Sequence, residues 1–247
     1  MDLKAIGFSG DAPAIAQRFA HDDGWRASYD EYAVWTPGSG IEVWRRRRGP
    51  QAVFTAHFHG AGAMRLGLVS LVPHPGDPLA GVATGWIEPP EDDPGEGLYA
   101  IALELPAFAL ARRTLAPPAV VSAQVVALAE ELNCYRDTAA FEAAQSGEAI
   151  RFEPEQVLGA GHWQPGAERE FPEPLAIVSG TVRMVARVTN PATDAFFHHL
   201  LVRTRGGMLD VVAAPEVVTG EPVAGGVVVG RVRLSARIAE IPWKGLP

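Results

Sequence analysis

Two stretches near the end of the chain alternate most cleanly between apolar and polar residues. In 178–188 the even positions include Val178, Val182, Met184, Ala186 and Val188, while Ser179, Thr181, Arg183 and Arg187 take odd ones. In 228–238 the even positions include Val228, Val232, Leu234, Ala236 and Ile238, and the odd ones Arg231, Arg233 and Arg237. A period of two means strands with one buried and one solvated face. Between them Phe196–Arg205 and Met208–Ala213 read as strands joined by Gly206-Gly207, a hairpin signal. Asn190-Pro191 supplies the preceding turn and Pro215–Gly226 a longer connection.

Earlier in the chain, extended segments fall at 27–35, 41–47, 52–59, 64–72, 79–88 and 98–105, separated by Pro37-Gly38-Ser39-Gly40, Gly49-Pro50, Gly60-Ala61-Gly62 and Pro73-His74-Pro75-Gly76. Short strands at close spacing with Gly/Pro turns predict antiparallel sheet. Residues 2–8 read as another short strand. They are followed by a helix over 11–23, capped by Asp11, with Pro13 early, Ile15 and Phe19 on its apolar stripe and Gly24 as its stop. Residues 117–145 fit two templates: Val121, Val125, Leu128 and Leu132 at helical spacing, and Val126, Leu128, Leu132 and Cys134 by alternation. Two leading prolines and β-branched filling favour a strand near 119–130. A short helix over Thr138–Gln145, capped by Asp137 or Thr138, follows it. Residues 153–174, with Pro154, Pro165, Pro172 and Pro174, have little periodicity and read as a connection. The expected fold class is therefore α+β and β-rich: an antiparallel-sheet region with few helices over 1–152, a connecting segment over 153–174, and a small OB-like β-barrel over 175–247.

Two resemblances extend this picture. The order Ser179-Gly180-Thr181-Val182, Gly-Gly hairpin, Asp210-Val211-Val212-Ala213, crossover, then Gly226 and the last strand resembles an OB-like barrel, which implies a binding module, often for oligonucleotides. The first 48 residues, through Ala5-Ile6-Gly7-Phe8, the 11–23 helix and Gly40-Ile41-Glu42-Val43-Trp44, resemble the start of a glyoxalase-like, vicinal-oxygen-chelate module. That resemblance implies metal ligands on the strands, commonly an early His and a late Glu; here the first strand has no His. The chain as a whole resembles members of an uncharacterised bacterial group, which implies no biochemistry.

Composition narrows the classes. The 247 residues are 47% apolar and 20% charged, ordinary for a globular protein and enough for a sizeable core. The net charge of −8 is uneven: residues 1–170 carry 13 Lys+Arg against 23 Asp+Glu, net −10, and 171–247 carry 8 against 6, net +2. This is no basic footprint of the kind nucleic-acid binders carry. The start Met1-Asp2-Leu3-Lys4-Ala5-Ile6 lacks a signal-peptide pattern, and no apolar run approaches a membrane span. With one cysteine, Cys134, no internal disulfide forms, and a cytoplasmic location is expected.

His57-Phe58-His59 is the sharpest chemical signal. On a strand, i and i+2 share a face, so two imidazoles could take one divalent metal with a third ligand such as Glu42 or Glu88. His-x-His on a strand resembles the first cupin motif, although Gly60–Arg65 supplies no Glu. The competing reading is a polar, hydrogen-bonded strand face. His198-His199 point to opposite faces, and His198 shares parity with Phe196, Leu200 and Val202, which makes it the candidate core histidine. His162-Trp163 reads as a packing anchor, Ser9 as a cap, Cys134 as a small buried apolar side chain, and Pro89–Gly97 as an exposed acidic loop. Arg45–Arg48 reads as a solvated strand end. Arg183, Arg203, Arg231 and Arg233, with Arg187, Arg205 and Arg237, lie at positions that could share one barrel exterior, with Phe197 as the stacking aromatic of a nucleic-acid or ligand surface. No Gly-rich phosphate loop and no GxSxG elbow is present. With no complete catalytic set, the expected function is a non-enzymatic binding or interaction protein for a ligand, an oligonucleotide or a protein partner. The alternative is a metal-dependent enzyme using His57 and His59, and self-association through strand edges is a third expectation.

Overall fold

A computed structural model describes residues 2–8, 25–29, 31–48, 51–159 and 171–243. The helix expected over 11–23, Ser9, the Gly49-Pro50 turn and His162-Trp163 lie outside them. The described chain is β-rich with two short α-helices. In order it runs β1 Trp25–Tyr29, β2 Tyr32–Gly38, β3 Ile41–Arg48, β4 Gln51–Phe58, β5 Ala63–His74, β6 Asp77–Ile87, β7 Tyr99–Glu104, α1 Phe108–Thr114, β8 Ala119–Tyr135, α2 Thr138–Ala144, β9 Gln156–Gly159, β10 Leu175–Thr189, β11 Phe196–Thr204, β12 Gly207–Ala213, β13 Val218–Thr219 and β14 Val227–Ile238.

Most expected strands are present within a residue or two, as is the Thr138 helix, whose Asp137 side chain accepts from Ala140 N. Four elements differ. The single strand expected over 27–35 is two, β1 and β2, which pair antiparallel through Tyr29↔Tyr32 because the chain turns between them. Residues 2–8 are not a strand: Asp2–Ile6 is a 3₁₀ helix. Leu3, Ala5, Ile6 and Phe8 are all buried, so no wet face alternates with a dry one. The chain reverses at Gly7 (φ +82°), with Gly7 N on Lys4 O and Phe8 N on Leu3 O. The helix α1, which buries Phe108 and Ala111, has too few turns to set up a periodic signal. The 153–174 connection contains β9, which pairs with Ala176–Ser179 of β10.

β1–β4 form a four-stranded antiparallel meander, and the other strands one ten-stranded sheet. The large sheet is built from two copies of one plan. β5, β6 and β7 are sequential antiparallel neighbours and β8 returns to pair with β5. In the second copy β10, β11 and β12 are neighbours and β14 returns to pair with β10. Each copy then borrows the other's last strand in parallel, β7 meeting β14 at Glu104↔Ser235 and β12 meeting β8 at Asp210↔Val126 to Val212↔Leu128. β8 and β14 pair antiparallel along Val227↔Tyr135 to Ile238↔Ala123. Two five-strand circuits therefore share the β8–β14 ladder. The strands of 175–247 do not close on themselves, because β8 lies between β12 and β14.

Inward residues such as Leu66, Leu103, Val125, Val178, Leu200, Val211 and Leu234 make the main core. The meander is buried on both faces. One face (Trp35, Ile41, Val43, Phe54, Ala56, Phe58) packs on Val126, Leu128, Phe197, Val212 and the 3₁₀ helix. The other (Tyr32, Val34, Trp44) packs on Ala107 with Leu79, Leu110 and Trp243. Part of the outer surface of the large sheet, which alternation alone marks as wet, is thus covered.

Candidate functional site

The seam between meander and large sheet holds a chain of polar side chains. β3 and β4 place Glu42 and His57 opposite each other. β8 brings Gln124, β11 His199, β12 Asp210, and β14 Ser235 and Arg237, all from outward positions. His57 is fully buried, its Nε2 at 2.8 Å from Gln124 Oε1 and its Nδ1 at 2.9 Å from Ser235 Oγ. Because the Gln124 amide nitrogen donates to Phe58 O and Asp210 Oδ2, its oxygen accepts from His57. The ring therefore carries its proton on Nε2 and accepts the Ser235 hydroxyl on Nδ1. Burial pushes its pKa down to about 3, so it is neutral at ordinary pH.

Arg237, 5% exposed, donates to Glu42 Oε1 at 2.6 Å and lies 3.0 Å from His59 Nδ1, with Trp243 over its guanidinium. Trp44 Nε1 donates to the other Glu42 oxygen at 2.8 Å. Burial raises the Glu42 carboxyl above its ordinary range, against the opposing pull of Arg237 and Trp44. Asp210 is fully buried and accepts from Gly62 N at 2.6 Å and from His199 Nε2 at 2.8 Å. Burial alone would push this carboxyl up, but His199 and the N–H groups of Gly62 and Ala61 outweigh it and hold it below the usual range. A Cβ on Gly60 would lie 2.2 Å from the Asp210 carboxylate, so the loop wraps this acid because two of its residues have no side chain.

Beside this network the seam opens into a cleft of about 400 Å³. Its floor is the outward face of β6 and β7 (Ala80, Val82, Glu104), extended by Leu128 and Arg233; its roof is Val53–Ala56 of the edge strand β4. In the lining, Arg46 donates from Nε to Asp77 Oδ2 at 3.0 Å and from Nη1 to Thr55 Oγ1 at 2.9 Å. Asp77 pairs in register with His74, whose ring meets Phe171 edge-on at 4.9 Å. Elsewhere in the lining Pro174 O accepts from Leu234 N, and Glu104 of β7 pairs in register with Ser235. The cleft thus has mainly apolar walls, with the pinned Arg46 guanidinium, Arg233, Glu104 and Glu173 among its lining residues.

His57 lies in β4 and His59 just past its end, and both His57 nitrogens are hydrogen-bonded within the protein while His59 Nδ1 faces Arg237. Among the described residues no group of three or more His, Cys, Asp or Glu side chains is placed to hold a metal ion. The arginines do not share one exterior. Arg183, Arg187 and Arg205 are exposed, with Arg187 stacked on Phe196 at 3.6 Å. Arg203 pairs with Glu155 at 2.6 Å and Arg231 with Glu130 at 2.8 Å. Arg233 lines the cleft and Arg237 is buried. Phe197 is fully buried, edge-on to Phe58 at 5.9 Å, and presents no stacking surface.

The buried histidine of the pair is His199, not His198, because the outer face of β11 is covered by Phe58 at 4.5 Å. Burial pushes the Cys134 thiol up to about 11. Glu88 is half-buried and its N–H is held by Arg65 O. Sequence reasoning placed Arg237 on a barrel exterior, whereas it is buried, and missed Arg46, hidden in a run of four arginines, Gln124 and Asp210. Asp210 did carry a signal: a carboxylate set among Leu209, Val211 and Val212 on a strand.

Compared with family models, curated proteins and solved structures, the chain has no match. No helix among the described residues is long and apolar enough to cross a membrane. The functional reading therefore rests on the site itself.

Proposed function

We propose that the protein is a non-enzymatic binding protein and that a small organic ligand occupies the cleft between β4 and the outward face of β6–β7. One observation carries this: an apolar cleft of about 400 Å³ with a few convergent polar groups, within the size range of small-molecule sites. The OB-like reading of the fold is supported by the strand order of the two circuits, each a three-strand meander closed by two further strands. In OB folds the second and third strands carry the ligand. In the second circuit the corresponding strands, β11 and β12, are covered by Phe58 and the meander; in the first they are β6 and β7, which floor the cleft. A small molecule is favoured over an oligonucleotide because Arg203 and Arg231 spend their charge on Glu155 and Glu130. A reducing, cytoplasmic setting fits the single thiol, Cys134.

The test is titration with 8-anilinonaphthalene-1-sulfonate, followed by its fluorescence. Saturable one-to-one binding is expected, and Val53→Trp, which fills the roof from a half-exposed edge-strand position, is expected to abolish it at unchanged melting temperature. Binding that Val53→Trp leaves intact, or the absence of saturable binding, overturns the reading.

A further inference from the structure

Taking that cleft as the binding site, we infer that its ligand is a short peptide in extended conformation, which adds to the edge of β4 as a fifth strand of the meander. The roof of the cleft leads there. β4 ends the four-stranded sheet and, among the described residues, pairs with β3 alone. The register fixes which of its groups face outward. His59 N donates to Gly40 O at 2.7 Å, and Ile41↔Phe58 and Glu42↔His57 follow in the ladder. Hydrogen-bonded and non-hydrogen-bonded positions alternate in an antiparallel pair. Val53, Thr55 and His57 therefore bond to β3, while Ala52, Phe54, Ala56 and Phe58 turn their N–H and C=O to the outer edge. Phe58 obeys this parity: its carbonyl accepts from Gln124 Nε2 of β8 at 3.3 Å. The edge of β4 thus points at the large sheet.

The cleft runs along this edge. Side chains of a strand alternate between two faces, so a cavity against one face meets every second residue. Here Val53, Phe54, Thr55 and Ala56 all line it, which places the cavity against the backbone side of the strand. Ala56 is 2% exposed, so water does little for the N–H and C=O it turns to the edge. The floor is of another kind. β6 lies between β5 and β7 and meets the cleft with small apolar side chains, Ala80 and Val82, with Leu128 beside them. A wall that repeats a donor and an acceptor at every second residue, above an apolar floor, is complementary to another extended main chain. At about 3.3 Å per residue the roof runs alongside about three or four residues of ligand. A cavity of about 400 Å³ takes a strand of that length and not a folded partner. Arg46 and Arg233 balance Glu104 and Glu173 in the lining, so neutral amides meet no net formal charge there.

The experiment is calorimetric titration of the full chain with N-acetyl-L-alanyl-L-leucyl-L-alaninamide, whose blocked ends carry no charge, and with the same peptide N-methylated at all three residues. Methylation removes the main-chain donors and leaves the side chains and the apolar surface in place. One-to-one binding of the first peptide is expected, absent in Val53→Trp, and binding of the methylated one is expected to be at least ten-fold weaker. Equal or tighter binding of the methylated peptide overturns the inference, because a site that reads only apolar surface accepts it. Peptide binding that survives in Val53→Trp overturns it too. Failure of the peptide to bind a chain that binds 8-anilinonaphthalene-1-sulfonate overturns the inference and leaves the cleft reading standing. A chain that does not bind the dye sinks that reading instead.

Discussion

Arg237 and Glu42 come from strands 195 positions apart and meet at 2.6 Å with 5% and 1% of their side chains exposed. Removing one partner of such a pair strands the other charge in a poorly solvated place, a loss of about 3–5 kcal/mol. Glu42→Ala is expected to lower unfolding stability in urea by that order. The double variant Glu42→Ala/Arg237→Ala is expected to lose less than the two single changes combined, because it removes the stranded charge. His57 sets a pH dependence. Its pKa is about 3 in the folded protein and 6.5 in an open chain, so between these values the unfolded chain binds more protons. Its contribution is complete above about pH 6.5 and is lost as pH falls toward 3, by at most about 1.4 kcal/mol per pH unit. Burial lowers His59 and His198 too, so their contributions run in the same direction. Unfolding free energies at pH 7, 6 and 5 are expected to decline, and less steeply in His57→Gln.

At the level of elements, the Gly60-Ala61-Gly62 loop and the strand β8 show what governs the site. A Cβ on Gly62 would come within 2.7 Å of Asp210 N, and one on Gly60 within 2.2 Å of its carboxylate. Each alanine is expected to cost about 1–3 kcal/mol by thermal unfolding. Gly159→Ala, whose nearest atom would be at 3.7 Å, is expected to be close to neutral. Asp137→Ala, which removes the cap on Ala140 N of α2, is expected to cost about 1 kcal/mol. β8 also explains why 117–145 fits two patterns. Its pairing with β14 jumps from Arg231↔Glu131 to Val232↔Ala129, leaving Glu130 as the extra residue of a bulge. The bulge shifts the phase, so Val121, Val125 and Leu132 join one core despite mixed parity, while Val126 and Leu128 face the meander. That mixture imitates helical spacing without a helix.

For the molecule as a whole, β8 is the decisive segment. It completes the circuit of β10–β12 and β14 and is the return strand of β5–β7. A fragment of residues 175–247 alone leaves the parallel edge of β12 and the long edge of β14 unpaired. It is expected to show no cooperative thermal transition by circular dichroism, whereas the full chain unfolds in a single one. A fragment that melts cooperatively would show that β8 is dispensable. The cleft belongs to this scale as well, since β4, β6, β7, β8 and β14 each contribute to its lining.

The order and spans of most strands, the Thr138 helix with its Asp137 cap and the Gly206-Gly207 hairpin follow from the chain read alone. Local alternation, turn residues and capping chemistry act over a few residues, and those forces are written in neighbouring letters. The inward positions of β14 were equally legible, because one face of any strand in a large sheet must be dry. Only tertiary structure decided that part of the other face, at Ser235 and Arg237, is dry too, that Asp210 is buried beneath the meander, and that Arg46 leaves its arginine run to wall a cleft. Those outcomes depend on contacts between separate segments, from Arg46 with Asp77, 31 positions apart, to His57 with Ser235, 178 apart. A periodic pattern reports that a side chain leaves the core of its own sheet; what lies on that side is set by how the sheets stack.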